Sequence, residues 1–183
     1  SELYLPGIVR NAARNALIAE ACAWAAERRL LPLVIHYQIE HGALLASACQ
    51  DRQLRSARVD GSTSSNQIQT ALGDLLDGRV DVLIASQIFE RGINIPELQA
   101  IINAGAWKSE LSTAQKAGRG ARKKSGPNHY VIIDPYDLGA RILKRHAEAR
   151  HRTYRRHGAS VHVGQWTDLR QHVSWTSEKG PVS

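Results

Sequence analysis

Gln115, Gly118, Arg119 and Arg122 fall within eight residues, QKAGRGAR. Two arginines three apart lie on one side of a helix, so both guanidinium groups can point at one phosphate cluster. Arginine suits the charge that develops on a phosphoryl group in transfer, because its planar fork stays protonated and donates paired hydrogen bonds. Groups used this way raise phosphoryl-transfer rates by about 10³ to 10⁵. Gly118 and Gly120 remove side-chain bulk where a backbone has to come close to something. The same residues also fit the solvated end of a basic helix, which Lys123 and Lys124 would continue.

Side chains of this kind need a frame. From Asn11 to Arg29 the residues Ala13, Leu17, Ala21, Trp24 and Ala25 recur at helical spacing, with charged residues on the other faces. Leu30 to Tyr37 is a short continuous apolar run, the pattern of a strand buried on both faces of a parallel sheet. The alternation then continues as helix Glu40 to about Arg52, strand Ser56 to Val59, helix Ser65 to Leu76 and strand Val80 to Ala85. After a loop come strand Ala100 to Ala104, helix Leu111 to Ala121 and strand His129 to Ile133. Strands alternating with helices of this length specify an α/β fold with a mostly parallel sheet sandwiched by helices. Ligands of such sheets bind outside the carboxyl ends of the strands, here the polar loops after Val59, Ala85 and Ala104. A last helix runs from Leu138 to about His157, and 159–183 reads as short strands or an irregular tail.

The 183 residues, 43% of them hydrophobic, suffice for one domain with a sizeable core. The net charge of +7 favours a polyanionic partner, and it is concentrated. Between Arg141 and His157 seven Lys or Arg residues face one acid, Glu148, so this stretch alone carries +6. Such a run is either a solvated face or a nucleic-acid track. Cys22 and Cys49 sit in apolar helical patterns without the paired spacing of a zinc site or disulfide framework, and read as buried free thiols. His129, His146 and His151 show no ligand spacing, so no metal site is expected on the chain. With no membrane-length apolar run and no signal-peptide pattern, an intracellular protein with no membrane contact is expected. The absence of Met, even at position 1, suggests a processed or engineered start.

Ser86 to Pro96, SQIFERGINIP, resembles motif V of superfamily-two helicases, with the strand VDVLIA before it and AIINAGAWKS after it. QKAGRGAR then lies where motif VI belongs; LVIHYQIEHGALLA resembles motif IV and VDGSTSS the motif IVa region. Four motifs in the family's order make the match specific. The run from Ile88 to Gly126, followed by VIIDPYD and LKRHAEARHRTYRRHG, is similar to the branch of phage recombination helicases and DNA-repair translocases. The likeness covers about Arg10 to Val163.

The resemblance implies a RecA-like second motor domain at 11–137, preceded by a linker at 1–10 from a first domain and followed by a basic helix at 138–158 and a tail at 159–183. It implies an ATP-dependent DNA helicase or translocase whose ATP and Mg²⁺ are held mainly by that first RecA-like domain. This sequence has no GxxxxGK[ST] run and no DExx motif, so the domain alone is expected to be inactive. In the implied roles Arg119 and Arg122 are fingers reaching the γ-phosphate, and Gln115 couples nucleotide to the domain interface. Gly92, Asn94, Glu90 and Gly118 line the nucleotide; relatives mostly have Asp where this chain has Asn94, which leaves a ribose hydrogen bond but no charge. Ser86, Gly61, Ser62, Thr63, Gln38 and His41 hold phosphates of one strand, and Lys144 and Arg145 extend the track. GSTSS also fits an ordinary helix cap at Ser64 or Ser65, and Trp107 either stacks on a base or packs in an interface.

The implied partners are single-stranded or branched DNA, with RNA as another substrate, and the first motor domain. The expected location is the cytoplasm, or the nucleus in a eukaryote. Two rivals stand beside this reading. One is a separate, non-catalytic module of the same fold that binds nucleic acid or protein. The other, a small-molecule enzyme on a Rossmann-like sheet, lacks a GxGxxG after the first strand.

Overall fold

The computed structural model describes residues 4–86, 98–106, 130–156, 159–172, 174–176 and 180–182. Short apolar runs bounded by polar turns become β1 (Pro32–His36), β2 (Ser56–Val59), β3 (Val82–Ser86), β4 (Ala100–Asn103) and β5 (Val131–Ile133). They form one sheet in the order β2-β3-β1-β4-β5, and every pairing is parallel. Central β1 is buried at all five positions, as a strand covered on both faces must be.

Two helices pack on one face, α1 (Ala12–Glu27) and α2 (Ile39–Asp51), and α3 (Ser65–Leu76) covers the other. The pleat divides the strand residues between them. Val34, Val82, Ile84 and Ile102 meet Ile18, Cys22, Leu45 and Cys49 from α1 and α2, whereas Leu33, Ile35, Leu83 and Ile101 meet Ile68, Leu72 and Leu75 of α3. Both cysteines are buried and free, as expected. Asn11 caps α1 by accepting from the Arg14 amide, and Ser64 and Gln67 form a reciprocal capping box at the start of α3.

Beyond the sheet, α4 (Arg141–Arg156) buries Leu143, Ala147, Arg150 and Tyr154, one stripe at helical spacing. It begins three residues later than expected: Asp137 is held by Arg14, and Leu138 is exposed. Residues 4–9, expected within a linker, instead hold a one-turn π-helix (Leu5–Val9). Tyr4, Ile8 and Val9 are buried there against Ala106 and Leu143, so the N-terminal segment and α4 share a core. The tail contains a helix that its sequence did not announce, α5 (Trp166–His172), followed by a two-stranded antiparallel ribbon, β6 (Ser174–Thr176) and β7 (Gly180–Val182). The Trp166 ring meets Trp24 of α1 edge-on at 5.6 Å, and Arg170 pairs with Glu20 at 2.8 Å. Seven residues are too few to show helical periodicity, so the sequence of the tail points only to short strands or irregular chain, and the two strands are there. The expected helix Leu111 to Ala121 lies outside the described residues.

Candidate nucleic-acid interface

The strand order sets three loops side by side. β2, β3 and β1 are consecutive in the sheet and parallel, so Gly61 to Thr63, Ser86 and Gln38 all lie at the carboxyl ends of adjacent strands. Gln38 precedes α2 as its N-cap residue, yet its side chain makes no capping bond and is exposed. Ser86 ends β3, opposite His36, and is partly exposed.

Asp60 organises the third loop, and sequence reasoning missed it. Its carboxylate accepts from the Ser62 hydroxyl at 2.6 Å and the Ser62 amide at 2.8 Å, while its own amide donates to Thr63 Oγ1 at 2.9 Å. Those hydrogen bonds, led by the Ser62 hydroxyl, hold the Asp60 carboxyl below its ordinary pKa. The Ser62 hydroxyl therefore already spends its proton on a carboxylate. The amides of Thr63, Ser64 and Gln67 are likewise taken, by the Asp60 carbonyl and by the capping box that opens α3. Of the two readings of GSTSS, the helix cap is the one observed, with Ser64 accepting from the Gln67 amide.

His41 stands elsewhere than expected. It is fully buried, with Nε2 3.0 Å from Asn15 Oδ1, and offers no surface to a phosphate. Asn15 in turn donates to the Val9 carbonyl at 2.9 Å, which ties α2 through α1 to the N-terminal segment. Burial, then the Arg14 charge, push the His41 pKa down to about 3, so the ring is neutral. His36, also buried, has Nδ1 2.9 Å from the Gln38 carbonyl, and burial lowers its pKa as well. A histidine next to polar loop residues looks the same in sequence whether it points out or in.

The other half of the carboxyl edge is closed by two buried ion pairs. Arg150 of α4 donates to Asp134, just after β5, at 2.7 and 2.9 Å, and to the Ala106 carbonyl at 2.9 Å. Tyr154 donates to the same carboxylate at 3.1 Å; burial, reinforced by Asp134, raises its pKa and keeps it protonated. Arg14 of α1 donates to Asp137 at 2.7 and 3.2 Å and also to the Ala104 carbonyl. Removing one partner of such a pair costs about 3–5 kcal/mol, because the other is left buried and charged. Arg150 thus leaves the proposed track, while Lys144 and Arg145 are exposed on the helix's outer side.

At this edge the described chain leaves β3 at Ser86 and runs past β4 to Ala106. Glu90, Gly92, Asn94, Gln115, Gly118, Arg119 and Arg122 lie outside the described residues, as do Trp107 and His129. No group of three His, Cys, Asp or Glu side chains among the described residues could hold a metal ion, and no described helix is long and apolar enough to cross a membrane.

Residues 26–124, more than half of the chain, match the model of the helicase conserved C-terminal domain. The chain belongs to that family. As a superfamily-two helicase C-terminal domain it is 31% identical over 106 residues to the ATP-dependent RNA helicase SrmB of Haemophilus influenzae, covering 57% of this chain and 24% of that protein. It is 27% identical over 116 residues to an Endoribonuclease Dicer homolog 1 of Oryza sativa, covering 63% and 6%. The helicase domain thus spans about a quarter or less of these curated relatives. Among solved structures, T4 UvsW superposes with a TM-score of 0.65 at 19% identity, over 81% of this chain and 33% of that one. Escherichia coli SrmB, bound to a regulator of ribonuclease activity, gives 0.54 at 22%, over 71% and 74%. These likenesses show the RecA-like fold, a five-stranded parallel sheet flanked by helices.

Helicases of this family generally use ATP with Mg²⁺. The described residues of this domain do not by themselves fit that pair: the sequence lacks a phosphate loop, and no described acids converge on a metal position.

Proposed function

We propose that this chain is the second motor domain of an ATP-dependent helicase or translocase, gripping a nucleic-acid strand beside a first RecA-like domain. What carries the reading is the placement of Gln38, Gly61 to Thr63 and Ser86 along one half of the sheet's carboxyl edge, in a chain of the helicase C-terminal family. Amides and hydroxyls at strand ends grip a backbone without reading bases, as a moving motor requires. Arg119 and Arg122 are the groups assigned to complete the nucleotide site, with Gln115, Gly118, Gly92, Asn94 and Glu90 around them.

We take DNA as the substrate, on the resemblance of the run from Ile88 to Gly126 and of the basic helix to the recombination and repair branch. RNA is the second reading, favoured by the RNA-helicase names of the relatives. Alone, the chain should turn over ATP negligibly with either nucleic acid. Joined to a first domain, it should show strand-stimulated turnover that falls about 10³-fold or more when Arg119 and Arg122 become Ala. Helicase-like turnover by the chain alone would overturn the half-motor reading, and stimulation by RNA only would reassign the substrate.

A further inference from the structure

Helix α4 presents two unlike faces. Its buried stripe is Leu143, Ala147, Arg150 and Tyr154. Arg141, Lys144, Arg145, Arg152, Arg155 and Arg156 are all exposed, and at about 100° per residue they fall within an arc of about 120° on the opposite side. None of the six forms an ion pair with a described residue. Glu148, the acid within the arc, accepts from the Tyr136 hydroxyl at 3.3 Å. Like charges three and four apart repel, as Arg141 and Arg145 or Arg152 and Arg156 must. A face that only needed solvation would mix its signs; this one holds its repulsion in place with a buried stripe and with Asp134, which accepts from both Arg150 and Tyr154 behind it.

We propose that the outward face of α4 binds the sugar–phosphate backbone of a nucleic-acid duplex, as a site separate from the strand-end loops. Five of its six cations are arginines, whose fork matches phosphate. They form two clusters, Arg141 with Lys144 and Arg145, and Arg152 with Arg155 and Arg156. At 1.5 Å per residue the cluster centres are about 16 Å apart. That span reaches the phosphates on both rims of a groove about 12 Å wide. The outward arc carries no aromatic side chain on which an unpaired base would stack. Tyr154 is buried, and His151 lies against Tyr136 and Tyr154 with ring centroids 5.2 and 6.5 Å away. The face therefore suits paired rather than unpaired nucleic acid. The site needs no nucleotide and no second domain, so it stands whether or not the motor reading does.

Fluorescence anisotropy of the whole chain, without ATP, tests this with labelled duplex DNA, duplex RNA and single-stranded DNA of one sequence over a salt series. Two variants neutralise one cluster each, Arg141→Ala with Lys144→Ala and Arg145→Ala, and Arg152→Ala with Arg155→Ala and Arg156→Ala. Circular dichroism checks that both keep their fold. Each should weaken binding to a duplex about tenfold or more and lower the log–log salt slope by about 2 to 3, with single-strand affinity changed much less. Loss shared equally by duplex and single strand, no loss in either variant, or competition by polyglutamate as effective as by unlabelled duplex would overturn the proposal.

Discussion

His41 is held neutral by burial, with Nε2 on Asn15, in a place where water would let it protonate near pH 6.5. The folded pKa lies below the unfolded one, so the unfolded chain binds the extra proton first. Stability from this site is complete above about pH 6.5 and is lost as the pH falls toward about 3. His36 shifts in the same direction. Urea unfolding of the wild type between pH 6.5 and 5 should therefore weaken by up to about 1.4 kcal/mol per pH unit from His41. His41→Gln, which keeps a donor for Asn15, should remove that contribution; equal slopes for both proteins would refute the assignment. Single-residue roles were the least legible part of the chain. Arg145 and Arg150 belong to one basic run, yet one faces solvent and the other is walled in against Asp134, sixteen positions earlier. Asp60 is one acid in a loop of hydroxyls, and only the folded turn shows that it takes the proton of Ser62.

Elements were legible wherever local signals agreed. The bounds of β2 and α3 are those expected from sequence, because α3 opens with a capping box and buries Ile68, Leu72 and Leu75 at helical spacing. The N-terminal π-helix and α5 were not legible, since each rests on distant partners, Leu143 for the first and Trp24 for the second. One helical position carries an unusual constraint. A Cβ on Gly42 of α2 would stand 2.6 Å from two atoms of the His36 ring, which is buried and held at the Gln38 carbonyl. Ala is ordinarily better than Gly inside a helix by up to about 1 kcal/mol. Here Gly42→Ala should instead destabilise by about 1–3 kcal/mol in thermal unfolding. Adding His36→Ala should recover part of that loss; strictly additive effects would mean that the close approach does not matter.

At the scale of the molecule, the family match ends at residue 124, but the described core does not. Ile8 and Val9 share a cluster with Leu143, and the carboxyl edge is closed by residues from both ends of the chain. A chain ending at 158 gives up the Trp166–Trp24 and Arg170–Glu20 contacts and should melt somewhat below the full protein. One ending at 137 also strips Leu143 from Tyr4, Ile8 and Val9 and removes the Arg150–Asp134 pair, and should lose at least about 3 kcal/mol more. Indistinguishable melting of the two would show α4 to be an appendage. The same stitching bears on how the protein is made. Arg14 and Asp137 are 123 positions apart, so at about 5–20 residues per second the ribosome takes roughly 6 to 25 seconds to deliver the acid after the base. Throughout that interval α1 waits with an unpaired cation on its inner face, and the nascent domain can lock shut only when its last long helix emerges.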